Sequence, residues 1–325
     1  MPNAYPTTVT VNVGALSIED VVAVARYGAQ VEIAPAALEE VAATRERVEE
    51  LAQDPTPVYG ISTGFGALAR RHIPEEMRAQ LQLSLVRSHA AGTGPEVEEE
   101  VIRALMLLRL STLCTGRTGV RPVVVETYAK ALNAGIVPVV REYGSLGCSG
   151  DLAPLAHCAL ALLGEGEVRV NGELQDAGEA LAAAGIEPLQ LREKEGLALI
   201  NGTDGMLGQL CLAITDLRAA AKTADIATAM TVEGLLGTLV VFADDLQQLR
   251  PHPGQADAAA NILQVAEGSE ILEAALEEFK KNQVQDAYSV RCAPQVAGGF
   301  RDTLTHTAQV AERELAAAVD NPVVT

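Results

Sequence analysis

The chain has 325 residues, of which 48% are hydrophobic, and it carries a formal net charge of −19 at pH 7. This length and apolar content are sufficient for one large domain or two smaller ones, each with a buried core. The acidic balance disfavours nucleic acids and anionic membranes as partners, because both bind proteins through basic surfaces. Small molecules and other protein chains remain as partners.

The cysteines and histidines indicate neither disulfides nor a metal site. Five of each are present, the cysteines without a C-x-x-C pair and the histidines without an H-x-x-x-H pair. This scatter is typical of reduced thiols in a cytoplasmic protein and does not predict a metal ligand set. The N-terminal segment lacks a basic stretch followed by an apolar one, and apolar runs such as 235–242 are too short to cross a bilayer. We therefore expect a cytoplasmic protein without a bound metal.

Secondary-structure patterns are mixed up to about residue 200. Residues 8–13 alternate between polar and apolar as in a strand, and the apolar positions between Leu38 and Leu51 mark one face of a helix. The stretch at 167–174 predicts a hairpin, because Asn-Gly between two short alternating runs favours a tight two-residue turn.

Beyond residue 200 a helical pattern dominates. Alanine-rich segments at 206–230, 255–280 and 299–319 carry few turn signals, and only the RPHPG stretch at 250–254 clearly interrupts them. We predict a mainly α protein in which a mixed N-terminal domain precedes a bundle of long packed helices. The predicted domains span residues 1–200 and 201–325.

A glycine-rich stretch, GSLGCSGDLAPLAH, occupies residues 144–157. Its glycines recur every three residues, which indicates tight turns that a Cβ would obstruct. The spacing matches neither the G-x-S-x-G of a nucleophile elbow nor the G-x-G-x-x-G of a dinucleotide-binding loop. Asp151 lies at the N-cap position of the apolar helical pattern that follows. Taken alone, the stretch is also consistent with an ordinary glycine turn before a buried helix.

Five further motifs accompany this stretch. They are VYGISTGFG at 58–66, SLVRSHAAG at 84–92, GLALINGT at 196–203, QDAYSVRCAPQVAG at 285–298 and AVDNP at 318–322. Their order and approximate spacing resemble those of the aromatic amino acid ammonia-lyases through essentially the whole chain, and most closely the histidine-specific members. The resemblance implies an ammonia-lyase/fumarase-like fold, in which a mixed N-terminal active-site domain is followed by a long-helix bundle.

The resemblance also implies a prosthetic group made from the chain itself. In the family, the tripeptide that matches Cys148-Ser149-Gly150 cyclises into a methylidene-imidazolone (4-methylidene-imidazol-5-one). The amide nitrogen of Gly150 attacks the carbonyl carbon of residue 148, and Ser149 loses its hydroxyl as water. Alanine is usual where this chain has Cys148, but that residue contributes only its carbonyl carbon to the ring. We therefore expect the group to form here.

The implied reaction is the elimination of ammonia from L-histidine to give trans-urocanate. Attack on the methylidene, most simply by the substrate amine, makes the nitrogen a better leaving group, and a base then removes the β-proton. Tyr59 matches the family's proposed base. A phenol ordinarily titrates far above neutral pH, so its surroundings would have to favour the ionised form. A buried tyrosine satisfied by a hydrogen bond is the alternative interpretation.

Other residues match family positions that bind the substrate or assist the reaction. Arg291 is expected to clamp the substrate carboxylate through two parallel donors. The pair Ser88-His89 matches the position that reads the substrate ring, and a polar pair suits an imidazole. Alternatively, His89 only packs at its helix end and satisfies a backbone carbonyl. Hydrogen bonds to the prosthetic group or substrate, with donors stabilising charge on the imidazolone oxygen, are implied for Asn201, Gln285 and Tyr288.

Two departures from the family pattern keep alternatives open. Asp204 follows the NGT motif where glutamine is frequent, which adds a charge near Asn201. The chain stops at Thr325, whereas the family continues through a helical region that supplies an active-site glutamate and an aromatic contact. A truncated, catalytically incomplete scaffold or assembly subunit is therefore one alternative, and a related aromatic amino acid lyase or an aminomutase is another. The resemblance also implies a homo-oligomer, a tetramer in the family.

Overall fold

The computed structural model describes residues 5–145, 150–282 and 284–325. Its helices are α1 (Ile18–Tyr27), α2 (Pro35–Gln53), α3 (Glu75–His89), α4 (Glu99–Cys114), α5 (Pro122–Asn133), α6 (Leu152–Leu162), α7 (Ala177–Ala183), α8 (Glu195–Ile200), α9 (Asp204–Gly234), α10 (Asp244–Gln247), α11 (Pro253–Val265), α12 (Glu270–Asn282), α13 (Tyr288–Arg291) and α14 (Ala293–Leu315). Its strands are β1 (Thr8–Val11), β2 (Gln30–Ile33), β3 (Thr93–Glu96), β4 (Ile136–Pro138), β5 (Arg141–Tyr143), β6 (Glu167–Val170) and β7 (Glu173–Asp176). The prediction of a mainly α protein is confirmed.

The chain forms two compact units. The first comprises residues 1–212 together with 311–325, and the second comprises 213–310. The domain boundary predicted at residue 200 stays a prediction.

The strands of the first unit form small sheets. Strand β1 pairs in parallel with β2, β3 pairs with β5, and β4, β6 and β7 form an antiparallel sheet. The predicted hairpin is present, with Val170 opposite Glu173. Its turn residues Asn171 and Gly172 have φ values of 51° and 80°, as a type I′ turn requires.

Helix α4 lies in the core of the first unit and packs against α1 and α5. All of its residues from Ala104 to Cys114 are buried, so it is apolar on nearly every side, as expected of a central helix. One charged residue, Arg109, interrupts this apolar surface, and its side chain is completely buried. The packing of α4 therefore places a guanidinium inside the unit.

The helices after residue 250 differ from the prediction at two points. The segment at 255–280 is two helices, because Gly268 adopts a left-handed φ of 73° and Ser269 Oγ then accepts the Leu272 N–H of α12. The segment at 299–319 is helical only to Leu315. Beyond it, the Val319 carbonyl accepts a hydrogen bond from Arg109 instead of continuing a helix.

The second unit has an apolar core of its own. Its buried members are Ala229, Val232, Phe242, Ala259, Ile262, Ala266, Leu272 and Val290. The helical stretch Glu195–Gly234 has the length and apolar composition that could cross a membrane, but 56% of its most apolar 18-residue segment is buried inside the protein. A core helix of a folded domain gives the same pattern.

Candidate active site

A cavity of about 690 Å³ lies in the first unit and is lined by four of the predicted site residues: Tyr59, Ser88, His89 and Asn201. The other lining residues are mostly apolar and include Phe65, Leu81, Leu85, Leu152, Leu197 and Ile200, together with Asn321. An apolar pocket with a few polar groups is typical of small-molecule sites.

Tyr59 lies in a tight turn between α2 and the segment that leads to α3. Ser62 closes this turn: its Oγ accepts the Val58 N–H at 2.9 Å, and its own N–H donates to the Val58 carbonyl. The Tyr59 ring meets Phe65 edge-on, with the ring centroids 6.2 Å apart. The phenol is therefore held at the cavity wall by local hydrogen bonds and by an aromatic contact.

Ser88 and His89 end helix α3 and share one backbone acceptor. Ser88 Oγ and His89 Nδ1 each lie 2.9 Å from the Leu85 carbonyl oxygen. Because a carbonyl only accepts, Nδ1 carries a proton, and Nε2 of the neutral ring is an acceptor. Within the described residues Nε2 has no hydrogen-bond partner. The bond to the Leu85 carbonyl is the one that a purely structural histidine would make. It leaves Nε2 as an acceptor on a side chain that lines the cavity.

Asn201 ends helix α8, and contacts within the chain determine the orientation of its amide. Its Nδ2 donates to Asp320 Oδ1 at 3.2 Å and to the Asn321 carbonyl at 3.1 Å. Both partners are pure acceptors, so nitrogen and oxygen of the amide are distinguished by chemistry. The atom that Asn201 offers to a ligand is therefore Oδ1, an acceptor.

The glycine-rich loop is described only at its ends, and Cys148 and Ser149 lie outside the described residues. Gly150 has a φ of 86°, and a Cβ on it would lie 2.1 Å from the Gly202 carbonyl oxygen. That oxygen accepts the Asp151 N–H at 2.6 Å. Position 150 therefore requires glycine for its backbone conformation and for its close approach to the Asn201-Gly202 segment.

The side chain of Asp151 closes the same loop. Asp151 occupies the predicted N-cap position of α6, but its carboxylate makes no capping bond to that helix. The third residue of α6 is Pro154, which has no N–H to donate. The carboxylate instead accepts the Ser145 hydroxyl at 2.7 Å and the Met206 N–H, in the first turn of α9, at 2.9 Å. Both ends of the glycine-rich loop are therefore fixed.

The remaining predicted residues, Gln285, Tyr288 and Arg291, belong to the second unit. The Arg291 guanidinium lies over the Tyr288 ring, 4.1 Å from the centroid. Its Nε is buried and has no hydrogen-bond partner among the described residues. The side chains of Tyr288 and Gln285 are exposed.

A network of buried charges that no sequence motif indicated lies behind Asn201. Lys194 Nζ lies 2.5 Å from Asp320 Oδ2, and both side chains are completely buried. Burial lowers the pKa of Lys194, while the charge of Asp320 acts in the opposite direction. Charged residues inside apolar runs, such as Arg109 in LMLLRLST, were the signal that could have revealed this network.

Asp204 belongs to the same buried region. It lies 3.4 Å from Arg109, and its Oδ1 accepts the Thr112 hydroxyl. Burial raises the pKa of Asp204, against the opposing effect of Arg109. The charge expected near Asn201 therefore faces a guanidinium in the core of the unit.

The family model of the aromatic amino acid lyases matches residues 16–325 of the chain. The chain belongs to the aromatic amino acid lyase family. Histidine ammonia-lyase from Streptomyces coelicolor is 61% identical over 318 residues, which cover 98% of this chain and 62% of that protein. Histidine ammonia-lyase from Gloeobacter violaceus is 47% identical, over 95% of this chain and 60% of that protein. The chain thus spans about three fifths of the length of these relatives.

Solved structures of family members share the fold. The tyrosine aminomutase from Streptomyces globisporus superposes with a TM-score of 0.90 at 40% identity, covering 98% of this chain and 63% of that one. The histidine ammonia-lyase from Trypanosoma cruzi gives a TM-score of 0.87 at 36% identity, covering 98% and 58%. Aromatic amino acid lyases use the methylidene-imidazolone group, and the cramped glycine at position 150 fits its formation. Among the described residues no cluster of metal-binding side chains is present.

Replacing Gly150 by alanine tests this fit. We expect Gly150→Ala to prevent ring formation, because the added Cβ would meet a backbone carbonyl that cannot move aside cheaply. Gly166→Ala is the matched control, since Gly166 has a φ of 83° and nothing within 4 Å of an added Cβ. The control pays only the left-handed backbone cost of about 1–2 kcal/mol. Intact mass and thermal melting measure both effects, and a ring in Gly150→Ala would contradict the argument.

Proposed function

We propose that the protein removes ammonia from L-histidine to form trans-urocanate, using a methylidene-imidazolone made from Cys148-Ser149-Gly150. The supporting observation is the cavity lined by Tyr59, Ser88, His89 and Asn201. This cavity adjoins the glycine-rich loop, because Leu152 lines it and Asp151 is bonded to Gly202. The names of the similar relatives, both histidine ammonia-lyases, point to the same substrate.

The residues of the cavity suit the steps of this reaction. When formed, the prosthetic group supplies an electrophile that makes the substrate amine a better leaving group. Tyr59 is the proposed base for the β-proton, since its phenol is at the cavity wall. Asn201 Oδ1 accepts a hydrogen bond from the substrate amine. The apolar wall displaces water, which strengthens each of these polar contacts.

His89 is the proposed reader of the substrate ring. Its Nε2 is an acceptor and therefore matches the N–H of an imidazole. A phenyl ring bound against His89 would cover this acceptor and leave it unpaired, at a cost of about 1–3 kcal/mol. Arg291 is the proposed clamp for the substrate carboxylate, and its Nε has no partner among the described residues. Gln285 and Tyr288, from the same segment, are proposed to form hydrogen bonds to the prosthetic group or the substrate.

One other function has specific support. Similarity to a tyrosine aminomutase supports an aminomutase on this scaffold. We further propose a cytoplasmic homo-oligomer, tetrameric as the family resemblance implies.

Product analysis distinguishes these functions. The purified chain, and the same chain extended to the relatives' length, are incubated with L-histidine, L-tyrosine and L-phenylalanine. Ultraviolet absorbance and mass spectrometry then identify the products. Urocanate from histidine as the preferred reaction supports the proposal, and a β-amino acid product would favour the aminomutase. Binding of histidine without turnover in either chain would contradict the proposal.

The proposed role of His89 predicts a shift in substrate preference. In His89→Phe we expect the ratio of kcat/KM for histidine to that for phenylalanine to fall about ten- to hundred-fold, because the ring acceptor is lost. Ser84→Ala, a cavity-lining change one helical turn earlier, is the control and should leave the ratio unchanged. An unchanged histidine preference in His89→Phe would remove this residue from the specificity argument.

A further inference from the structure

We propose that Lys194 is a positioning residue that holds the amide of Asn201 in its cavity-facing orientation, acting through Asp320. The identity of the ligand that Asn201 binds rests on the proposed function. The orientation of the Asn201 amide can be tested separately. Lys194 does not line the cavity, and its effect is transmitted by two hydrogen bonds.

The two oxygens of Asp320 serve different partners. Oδ2 accepts from Lys194 Nζ at 2.5 Å, and Oδ1 accepts from Asn201 Nδ2 at 3.2 Å. The Asn321 N–H also donates to Oδ1, at 2.7 Å. Lys194 therefore determines which way the carboxylate faces, and the remaining oxygen then determines which end of the Asn201 amide is turned towards it.

The backbone around Asn201 is held by a different residue. Arg109 donates to the Asn201 carbonyl at 2.8 Å and to the Val319 carbonyl at 3.1 Å. These bonds bring the two segments together but do not distinguish the nitrogen from the oxygen of the Asn201 side chain. That distinction comes from the two acceptors of Nδ2, which are the Asn321 carbonyl and the Asp320 carboxylate. Of the two, the carboxylate is the one paired with the buried cation of Lys194.

Stability alone does not account for a lysine at this position. Lys194 is completely buried and has a left-handed φ of 72°, which is unfavourable for a side chain with a Cβ. Replacing a buried ion pair by apolar residues is often neutral or stabilising. The orientation that the pair imposes on Asn201 is a function that an apolar pair could not provide.

The other charged groups near the pair do not replace Lys194. Arg109 lies close enough to lower the pKa of Lys194 further, but its guanidinium is engaged by two carbonyls and by Asp204. Without Lys194, Oδ2 of the buried Asp320 carboxylate would have no donor. The carboxylate could gain one only by rotating, which would turn Oδ1 away from Asn201.

Kinetics with L-histidine test the inference in two variants. We expect Lys194→Met to lower kcat/KM about 100-fold, the effect of a misplacement of about 1 Å, and also to lower the melting temperature. Lys194→Met/Asp320→Asn removes the unpaired charge and keeps an acceptor at residue 320. We expect this double variant to regain stability but not kcat/KM, because without Lys194 Nζ only the Asn321 N–H favours the oxygen of the new amide over its nitrogen at the position that faces Asn201.

A neighbouring, partly buried ion pair provides the control. Arg121 and Glu195 form an ion pair 2.8 Å long, with Glu195 completely buried, and neither residue lines the cavity. Arg121→Met/Glu195→Gln should leave kcat/KM close to that of the wild type. Recovery of both stability and kcat/KM in Lys194→Met/Asp320→Asn would show that Lys194 only balances charge, and would overturn the proposal.

Crystal structures of the wild type and of the double variant test the orientation without reference to turnover. We expect Asn201 Nδ2 to contact Asp320 in the wild type, and the Asn201 amide to leave this orientation in the variant. An unchanged Asn201 amide in the variant would overturn the inference. A wild-type chain that binds but does not convert histidine would contradict only the proposed function.

Discussion

Ser149→Ala is expected to give a chain of full sequence mass and to lower histidine turnover by roughly 10⁴-fold or more, the scale seen when an enzyme loses its central reacting group. The wild-type chain should be two water molecules lighter than its sequence, because cyclisation and loss of the serine hydroxyl each release one. Alanine at position 149 cannot form the exocyclic methylidene. Intact mass spectrometry and a urocanate assay measure the two effects.

Cys148→Ala is the control for this prediction. It should keep both the mass deficit and the turnover, since residue 148 contributes only its carbonyl carbon to the ring. A mass deficit of two waters in Ser149→Ala would contradict the mechanism. So would a wild-type chain that melts cooperatively and has its full sequence mass.

Tyr59→Phe is expected to lower kcat for histidine by about 10²–10⁴, the usual contribution of a general base. The phenyl ring should keep the edge-on contact with Phe65, so we expect the fold, the mass deficit and the histidine KM to change little. The fall in kcat would then measure the contribution of the Tyr59 hydroxyl alone. Steady-state kinetics on the purified variant, with its melting temperature, measure this effect.

Tyr128→Phe is a control on a second tyrosine. Tyr128 is completely buried, its hydroxyl has no hydrogen-bond partner among the described residues, and it does not line the cavity. Removing that hydroxyl should leave kcat unchanged and should not destabilise the chain. Equal rates for wild type and Tyr59→Phe would exclude Tyr59 as the base and leave the β-proton to another group.

The cavity also explains why two interpretations of His89 were both reasonable. The histidine satisfies a backbone carbonyl through Nδ1 and at the same time lines the cavity. The structural bond determines the tautomer, and the tautomer determines what the other ring nitrogen can bind. A structural role and a role in substrate recognition are therefore compatible in one side chain.

Features that depend on neighbouring residues could be predicted from the sequence alone. The hairpin at 167–174 follows from the Asn171-Gly172 turn, and the need for glycine at position 150 follows from the glycine-rich pattern. The mainly α character follows from helical periodicity and alanine content. The break at Gly268 was also a local signal, since a glycine followed by a serine is typical of one helix ending and another beginning.

Features that depend on residues far apart in the chain were decided only by the tertiary structure. The motifs named Tyr59, His89 and Asn201, but only packing brings their side chains to one cavity. Asp151 leaves its own helix uncapped because a distant N–H, that of Met206, is available. Lys194 and Asp320 are 126 positions apart, and no periodicity or turn signal links them. Their pairing depends on the shape and charge of the buried interior, which exists only once the segments have packed.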